Sequence, residues 1–367
     1  MNFYICNKDI KVLKIQVGKT QGIATTNVLD VYKPDLIPKP LMNGKPLQAW
    51  LEGRMILSQR KDISTLFSSI GATDLESVLC ITKGISLNDT YWVKNEDSKV
   101  TWSSISPYKN PLNSMIANYS FSNTGIIDNK HITHSPDFST DGNYPKCWKR
   151  VNGNIYMYKA GSSGVMNAGN EPYSEVFASE LAEYLGLNHV RYEFVNYKGK
   201  DSTRCINICS EEVGMYHISE YDSSIRTYSD LLKSCKSPED KKTIVEMLVL
   251  DYLTLNIDRH LGNIGVLVNN DTQERISYAP IYDNNRSFLP YYVPKMDGNI
   301  EAYMNNSQGK IVTALGISFE ELFRLINCRD VRDLILRAKG YKIHSNLPRV
   351  SIANEVIKSQ VSRVLNK

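Results

Sequence analysis

The sequence predicts an α+β protein, on three observations. Short runs of β-branched and aromatic residues, broken by Gly, Pro, Asn and Asp, recur from the start to about Cys209. Two long segments, near 171–185 and 240–255, carry helical apolar patterning with caps. Beyond Phe288 the pattern is mainly helical. With 367 residues, 42% hydrophobic and 22% charged, the chain is long enough for two or three globular domains. We divide it into an N-terminal module (1–102), a linker or extended wrap (103–135), a small lobe (136–212) and a large, mainly helical lobe (213–367).

Within the first third, Ile10 to Val17 and Ile23 to Tyr32 read as strands, followed by Pro34, Pro38 and Pro40. Leu47, Trp50, Leu51 and Arg54 share a helical face, and Ile63, Leu66, Phe67 and Ile70 continue the helical spacing. Leu87 to Val93 and Val100-Thr101-Trp102 read as a strand pair. This α/β module carries no catalytic signature. Residues 103–135 are rich in Ser, Asn, Pro and Thr, the composition of a connector.

The next segment carries chemistry. Phe138 to Lys146 is a polar turn containing Ser139 and Gly142. Lys146 to Val151 and Asn154 to Lys159 are strands joined by Asn152-Gly153, a strong type I′ hairpin signal. Lys159 lies on the face of Ile155 and Met157, where a lysine reaches inward to bind phosphates or, on an edge strand, points to water. Asn170 caps a helix with Pro172 in its first turn and Gly186 at its end. Ala178, Leu181, Ala182 and Leu185 form the apolar stripe. Glu171 and Glu175 project along it, and either would serve Lys159 as a partner; both also favour the helix N-terminus through its dipole. Val190 to Val195 and Cys205 to Cys209 read as further strands.

Ser237, Pro238 and Asp240 then open an apolar helix running to Leu255. It leads into Asn256-Ile257-Asp258-Arg259-His260-Leu261-Gly262-Asn263. Ile264 to Val268 and Arg275 to Ile281 make a hairpin through the Asn269 to Thr272 turn and return the chain to Asp283. An Asp, an Asn five positions on and a second Asp after a hairpin are what metal-assisted phosphoryl transfer requires. Asp258 is placed to meet a hydroxyl, with Asn263 and Asp283 as magnesium ligands. Past this hairpin, Ser318 to Glu321 reads as a capping box followed by Leu322, Leu325 and Ile326. Ser351 reads as the cap of a last helix to about Leu365.

Other classes are disfavoured. A net charge of +4 does not imply nucleic acid, and no run approaches a membrane span. Residues 1–9 lack the apolar core of a leader peptide. Seven scattered cysteines fit reduced thiols in a cytoplasm, because only Cys205 and Cys209 are close.

Taken together, several motifs over about 136–340 resemble the HipA-like serine/threonine kinases, the toxin-kinase family of bacterial toxin–antitoxin systems, and their stand-alone relatives. They are Ser139-x-x-Gly142-x-x-x-Lys146, Lys159, Ser174-Glu175 before Leu181-Ala182-x-x-Leu185-Gly186, Asn256-Ile257-Asp258-Arg259-His260-x-x-Asn263 and Ala279-Pro280-x-Tyr282-Asp283. The resemblance implies a bilobal fold close to the protein and phosphoinositide kinases, with ATP and Mg as cofactors. It also implies transfer to Ser or Thr of a protein substrate, and an antitoxin or regulator as partner. By position, Asp258 and His260 become the catalytic pair, Asn263 and Asp283 the metal ligands, and Lys159, Glu175, Gly142 and Ser139 the ATP-binding set. Ser139 falls where the family autophosphorylates, and Cys209 to Glu212 where a hinge would face adenine. Asp283-Asn284-Asn285 departs from the Asp-Phe-Gly of protein kinases at large. Two alternatives remain. A phosphoinositide or small-molecule kinase lacks support from a basic cluster, since Arg286 and Lys295 stand isolated. A nucleotide-binding regulator without turnover has no need of Asp258, Asn263 and Asp283 together.

Overall fold

In the computed structural model, alternating burial marks Ile10–Thr20 and Val213–His217 as half-buried strands. The structure describes residues 1–55, 72, 74–122, 133–140, 142, 144–164, 167–315, 324 and 329–365. In chain order come β1 (Asn2–Asn7), β2 (Ile10–Thr20), β3 (Ile23–Val31), α1 (Leu47–Gly53), α2 (Leu75–Thr82), β4 (Tyr91–Asn95) and α3 (Ser114–Ser122). Then follow β5 (Lys146–Val151), β6 (Asn154–Ala160), α4 (Glu171–Leu185), β7 (Glu193–Tyr197), β8 (Lys200–Ile206) and β9 (Val213–His217). The last set is α5 (Pro238–Thr254), β10 (Gly265–Asn269), β11 (Arg275–Tyr278), α6 (Ile300–Leu315), α7 (Arg329–Arg337) and α8 (Val350–Leu365). The chain divides into two compact units. One is Met1–Lys159 with Ile206–Tyr216 and Leu267–Ile276; the other is Ala160–Cys205 with His217–Val266 and Ser277–Lys367.

In the first unit, β3-β2-β1-β4 form an antiparallel sheet. Its core joins Ile5, Val12, Ile15 and Val17 to Trp50 and Leu51 of α1 and Leu79 of α2. Strand β1 was not foreseen, and β4 pairs with it rather than with Val100-Thr101-Trp102. That tripeptide opens a helical turn, Trp102–Ile105, because Asp9 Oδ1 accepts the Trp102 N–H at 2.8 Å and Trp102 is buried. Ile63, Leu66, Phe67 and Ile70 lie outside the described residues. Within 103–135, α3 buries Ile116, Ala117 and Phe121. Strands β5 and β6 pair Lys146 with Lys159, and Asn152 (φ 49°) and Gly153 (φ 83°) make the turn with two left-handed residues. In the expected hinge stretch, Glu211 accepts from Trp102 Nε1 and Ser106 Oγ, each at 2.8 Å, and pairs with Lys109.

In the second unit, α4 ends on Gly186 in the left-handed region (φ 70°) and sets Phe177 edge-on to Phe288. Asn170 stands at the N-cap position but does not cap; its amide donates instead to the Asn167 and Pro290 carbonyls. The strand expected at 190–195 is β7, shifted to Glu193–Tyr197. The one expected at 205–209 is not a strand beyond Ile206, where β8 (Lys200–Ile206) ends; β8 forms a hairpin with β7 through Lys198 and Gly199, both at positive φ. Helix α5 starts as expected, Ser237 accepting the Asp240 N–H at 3.1 Å. Ser351 falls inside α8 rather than at its cap, since the helix opens at Val350 after Arg349 (φ 71°). The segment from Ser318 through Leu322, Leu325 and Ile326 lies outside the described residues. A further three-stranded sheet runs in the order β11-β10-β9, and most of its residues (213–216, 267–269 and 275–276) belong to the first unit. The described cysteines are free thiols.

Candidate active site

The loop after α5 is built on a charge buried where the sequence is otherwise apolar. Asp251 sits between Leu250 and Tyr252 with no exposed side-chain surface, and such a carboxylate requires partners. Asn256 Nδ2 donates to its Oδ1 at 2.8 Å. Arg259, equally buried, approaches both its oxygens, Nε at 3.0 Å and Nη2 at 3.1 Å. Burial works against the Arg259 cation, but the facing Asp251 outweighs it and holds the guanidinium above its ordinary range.

The remaining Arg259 donors join two segments. Nη1 donates to the carbonyls of Asn263 (2.9 Å) and Tyr282 (2.6 Å), and Nη2 to Asn284 Oδ1 (2.6 Å). One buried guanidinium therefore ties the backbone of the loop holding Asp258 and Asn263 to the backbone flanking Asp283. The loop is tightened locally too: Asn256 Oδ1 accepts the Asp258 N–H at 3.2 Å, and the Asp258 carbonyl accepts from His260 N and Asn263 Nδ2, each at 3.0 Å. Because Nδ2 of Asn263 is taken, its Oδ1 is the atom left for a ligand, and it has no hydrogen bond among the described residues.

Asp283 adopts a left-handed conformation (φ 55°), and its N–H donates to the Tyr192 hydroxyl at 3.2 Å. Burial, with the nearby Glu175 and Asp283 carboxylates, holds the Tyr192 phenol well above its ordinary range, so it stays neutral. Asn285 is buried and its Oδ1 has no hydrogen-bond partner among the described residues, which leaves an acceptor for a bound water or ligand. Asp258 itself is open: its side chain is 41% exposed, with Arg286 Nε at 3.9 Å from Oδ2. His260 is exposed, and its Nδ1 accepts the Gly262 N–H at 3.1 Å, a contact that shapes the turn.

Glu175 is buried on α4, where its Oε2 accepts from Thr203 Oγ1 at 2.7 Å. Glu171 is engaged by the Ser162 N–H (3.1 Å) and the Tyr291 hydroxyl (2.8 Å). Although burial opposes its charge, these bonds hold its carboxyl below the ordinary range. Lys159, Gly142 and Ser139 belong to the other unit. There Lys159 is buried, with Nζ 5.4 Å from the Tyr144 ring centre. Gly142 has φ 95°, and a Cβ on it would fall 2.7 Å from Lys146 Nζ. Ser139 closes a short 3₁₀ turn and donates to the Ile85 (2.9 Å) and Pro136 (3.0 Å) carbonyls.

Sequence reasoning gave Arg259 no role and overlooked Asp251 and Tyr192. The available signal was one acidic residue inside the apolar run Met247 to Leu253, eight positions before an arginine. Among the described residues no three or more His, Cys, Asp or Glu gather in a metal-binding group. The candidate donors are instead the Asn263 amide oxygen and the Asp283 carboxylate; such a pair would suit an ion that keeps waters and binds nucleotide phosphates.

The fold is α+β of the HipA type. It aligns with HipA from the Shewanella oneidensis MR-1 toxin–antitoxin complex of HipA, HipB and operator DNA, over 99% of this chain and 97% of that one, at a TM-score of 0.53 and 13% identity. The Helicobacter pylori proinflammatory kinase CtkA aligns over 62% of this chain and 89% of its own, with a TM-score of 0.46 and 18% identity. No curated protein matches. The HipA-like C-terminal domain matches residues 138–339, more than half of the sequence, and the chain belongs to that family.

Proposed function

We propose that the chain is an ATP- and magnesium-dependent serine/threonine protein kinase of HipA type. The observation that carries this is the Arg259 brace, which joins the Asp258–Asn263 loop to the backbone around Asp283 within a HipA-like domain. Asn263 Oδ1 and the Asp283 carboxylate would hold magnesium, and Lys159, Glu175 and the Gly142 turn would serve the nucleotide. Bound MgATP supplies the transferable phosphoryl group and the charge that offsets its oxygens. Asp258 receives the proton of the acceptor hydroxyl and aligns that oxygen. Its exposure suits a group that must meet a macromolecular acceptor. His260 keeps the turn that presents Asp258.

Ser139 is the proposed autophosphorylation site. A phosphate there would remove the hydroxyl proton that Ser139 now donates to Ile85 and Pro136, and would add negative charge to the turn. The HipA of the Shewanella structure was solved with HipB and operator DNA, so an antitoxin-type partner belongs to this reading. So does a cytoplasmic location; no helix among the described residues is long and apolar enough to cross a membrane.

The test is intact mass after incubation with MgATP, followed by peptide mapping. Wild type should gain phosphate, with Ser139 modified. Asp258→Asn should incorporate it about 10²- to 10⁴-fold more slowly, the range for losing a positioned base. Equal incorporation by the two proteins would remove Asp258 from the mechanism. Transfer confined to lipids or small alcohols would move the chain to a small-molecule kinase.

A further inference from the structure

We infer that Arg286 is a positioning residue for Asp258: a guanidinium stacked on the Tyr291 ring that draws one carboxylate oxygen electrostatically and leaves the other for the acceptor hydroxyl. This rests on the kinase reading above. The backbone of Asp258 is already held on both sides, its N–H by Asn256 and its carbonyl by His260 and Asn263. What remains free is side-chain rotation. Among the described residues Arg286 is the cation beside that side chain; its buried Nε lies 3.9 Å from Oδ2, an ion-pair distance rather than a hydrogen bond.

An ion pair between two mobile surface side chains would fix neither partner. Here one partner is braced. The guanidinium lies over Tyr291, 5.1 Å from the ring centre. Tyr291 donates its hydroxyl to Glu171 Oε1 at 2.8 Å, and the buried Glu171 accepts the Ser162 N–H at 3.1 Å through Oε2. A strut thus runs from the first residue of α4 through Tyr291 and Arg286 to Asp258. Arginine suits the place, because a planar cation stacks flat on a ring and still presents a rigid edge to a carboxylate, whereas an ammonium is a point charge without that fixed edge.

The experiment is steady-state phosphate transfer by the full chain, comparing wild type with Arg286→Met, Arg286→Lys and Tyr291→Leu. If Arg286 positions Asp258, Arg286→Met lowers kcat by about 10- to 100-fold, the scale of a misplaced reacting group, and leaves the KM for ATP unchanged. Arg286→Lys recovers little of this loss. Tyr291→Leu loses kcat in the same direction, and it keeps the test alive if Arg286→Met does not fold. A thermal-unfolding cycle with Asp258→Asn and Arg286→Met reads the contact without turnover, and its Tm shifts should be non-additive. A raised KM for ATP at unchanged kcat would make Arg286 a nucleotide ligand and overturn the inference, as would unchanged kinetics or additive Tm shifts. Those failures leave an active wild type. A wild type that transfers no phosphate instead sinks the kinase reading and the inference together.

Discussion

Arg54 and Arg259 are both buried and both face an aspartate, one in each compact unit. Arg54 donates to Asp89 at 2.7 and 2.8 Å and to the Gly84 and Tyr91 carbonyls at 2.7 Å, with its guanidinium 4.8 Å from the Trp50 ring centre. Arg259 treats Asp251 and the Asn263 and Tyr282 carbonyls in the same way. In each pair burial opposes the cation and the aspartate outweighs it, so both guanidiniums sit above their ordinary range. The difference lies in what the carbonyls belong to. Gly84 and Tyr91 lie on a turn and a strand that carry no candidate site residue themselves. Asn263 and Tyr282 belong to the segments that carry Asn263 itself and Asp283. A buried Asp–Arg pair therefore reports that backbone is being placed, and only the placed residues say whether chemistry is involved.

Substitution of each arginine would break or sharpen that contrast. Arg259→Met strands Asp251 in the core and should cost about 3–5 kcal/mol of stability, read by urea unfolding. Phosphate incorporation should also fall to the Asp258→Asn level at temperatures where the variant is folded, because the two backbone segments are no longer joined. Arg54→Met strands Asp89 and should cost a similar 3–5 kcal/mol. Its folded fraction should keep the wild-type kcat. Loss of kcat in both variants, with both folded by circular dichroism, would erase the distinction between the two braces. Separate probes for each unit are needed, since one denaturation midpoint need not describe two units.

The same contrast explains what was legible in the sequence. Elements set by local chemistry were readable: the Asn152-Gly153 hairpin, α5 with its Ser237 cap, and the β10–β11 return toward Asp283. Asp258 and Asn263 were readable as partners in one loop because they lie five positions apart, and the Asp258 carbonyl accepts from Asn263 Nδ2. Features set by distant partners were not. Strand β1 pairs with β4, more than eighty positions away, and neither β1 nor that pairing was foreseen. Val100 to Trp102 has β-type composition, but Asp9 and the burial of Trp102 turn it into a helix start. Asn170 has a cap residue's chemistry, yet its amide is claimed by Pro290, 120 positions on. Arg259 lay within the motif, and its role depends on Asp251, Tyr282 and Asn284, which spacing alone does not join.

Asp74 gives the smallest effect and marks the opposite limit, an acid whose charge is settled locally at the surface. It caps α2: Oδ1 accepts the Ser77 N–H at 2.8 Å and the Ser77 hydroxyl, and Oδ2 lies 3.1 Å from Lys19 Nζ. The Ser77 hydrogen bonds first, then Lys19, lower its pKa from 3.8 to about 2. A folded pKa below the unfolded one means that the unfolded chain takes up the proton first as pH falls. The stabilisation is therefore complete above the unfolded value of 3.8 and disappears toward the folded value of about 2. At neutral pH Asp74→Ala should be less stable than wild type by about 1 kcal/mol, the usual worth of an N-cap. That gap should hold down to the unfolded value and narrow below it, as read by urea midpoints of both proteins across the acid range. A gap that stays constant through the window would assign the cap's contribution to hydrogen-bond geometry alone. Asp74 would then no longer stand as the charged, half-buried counterpart of Asp89 and Asp251.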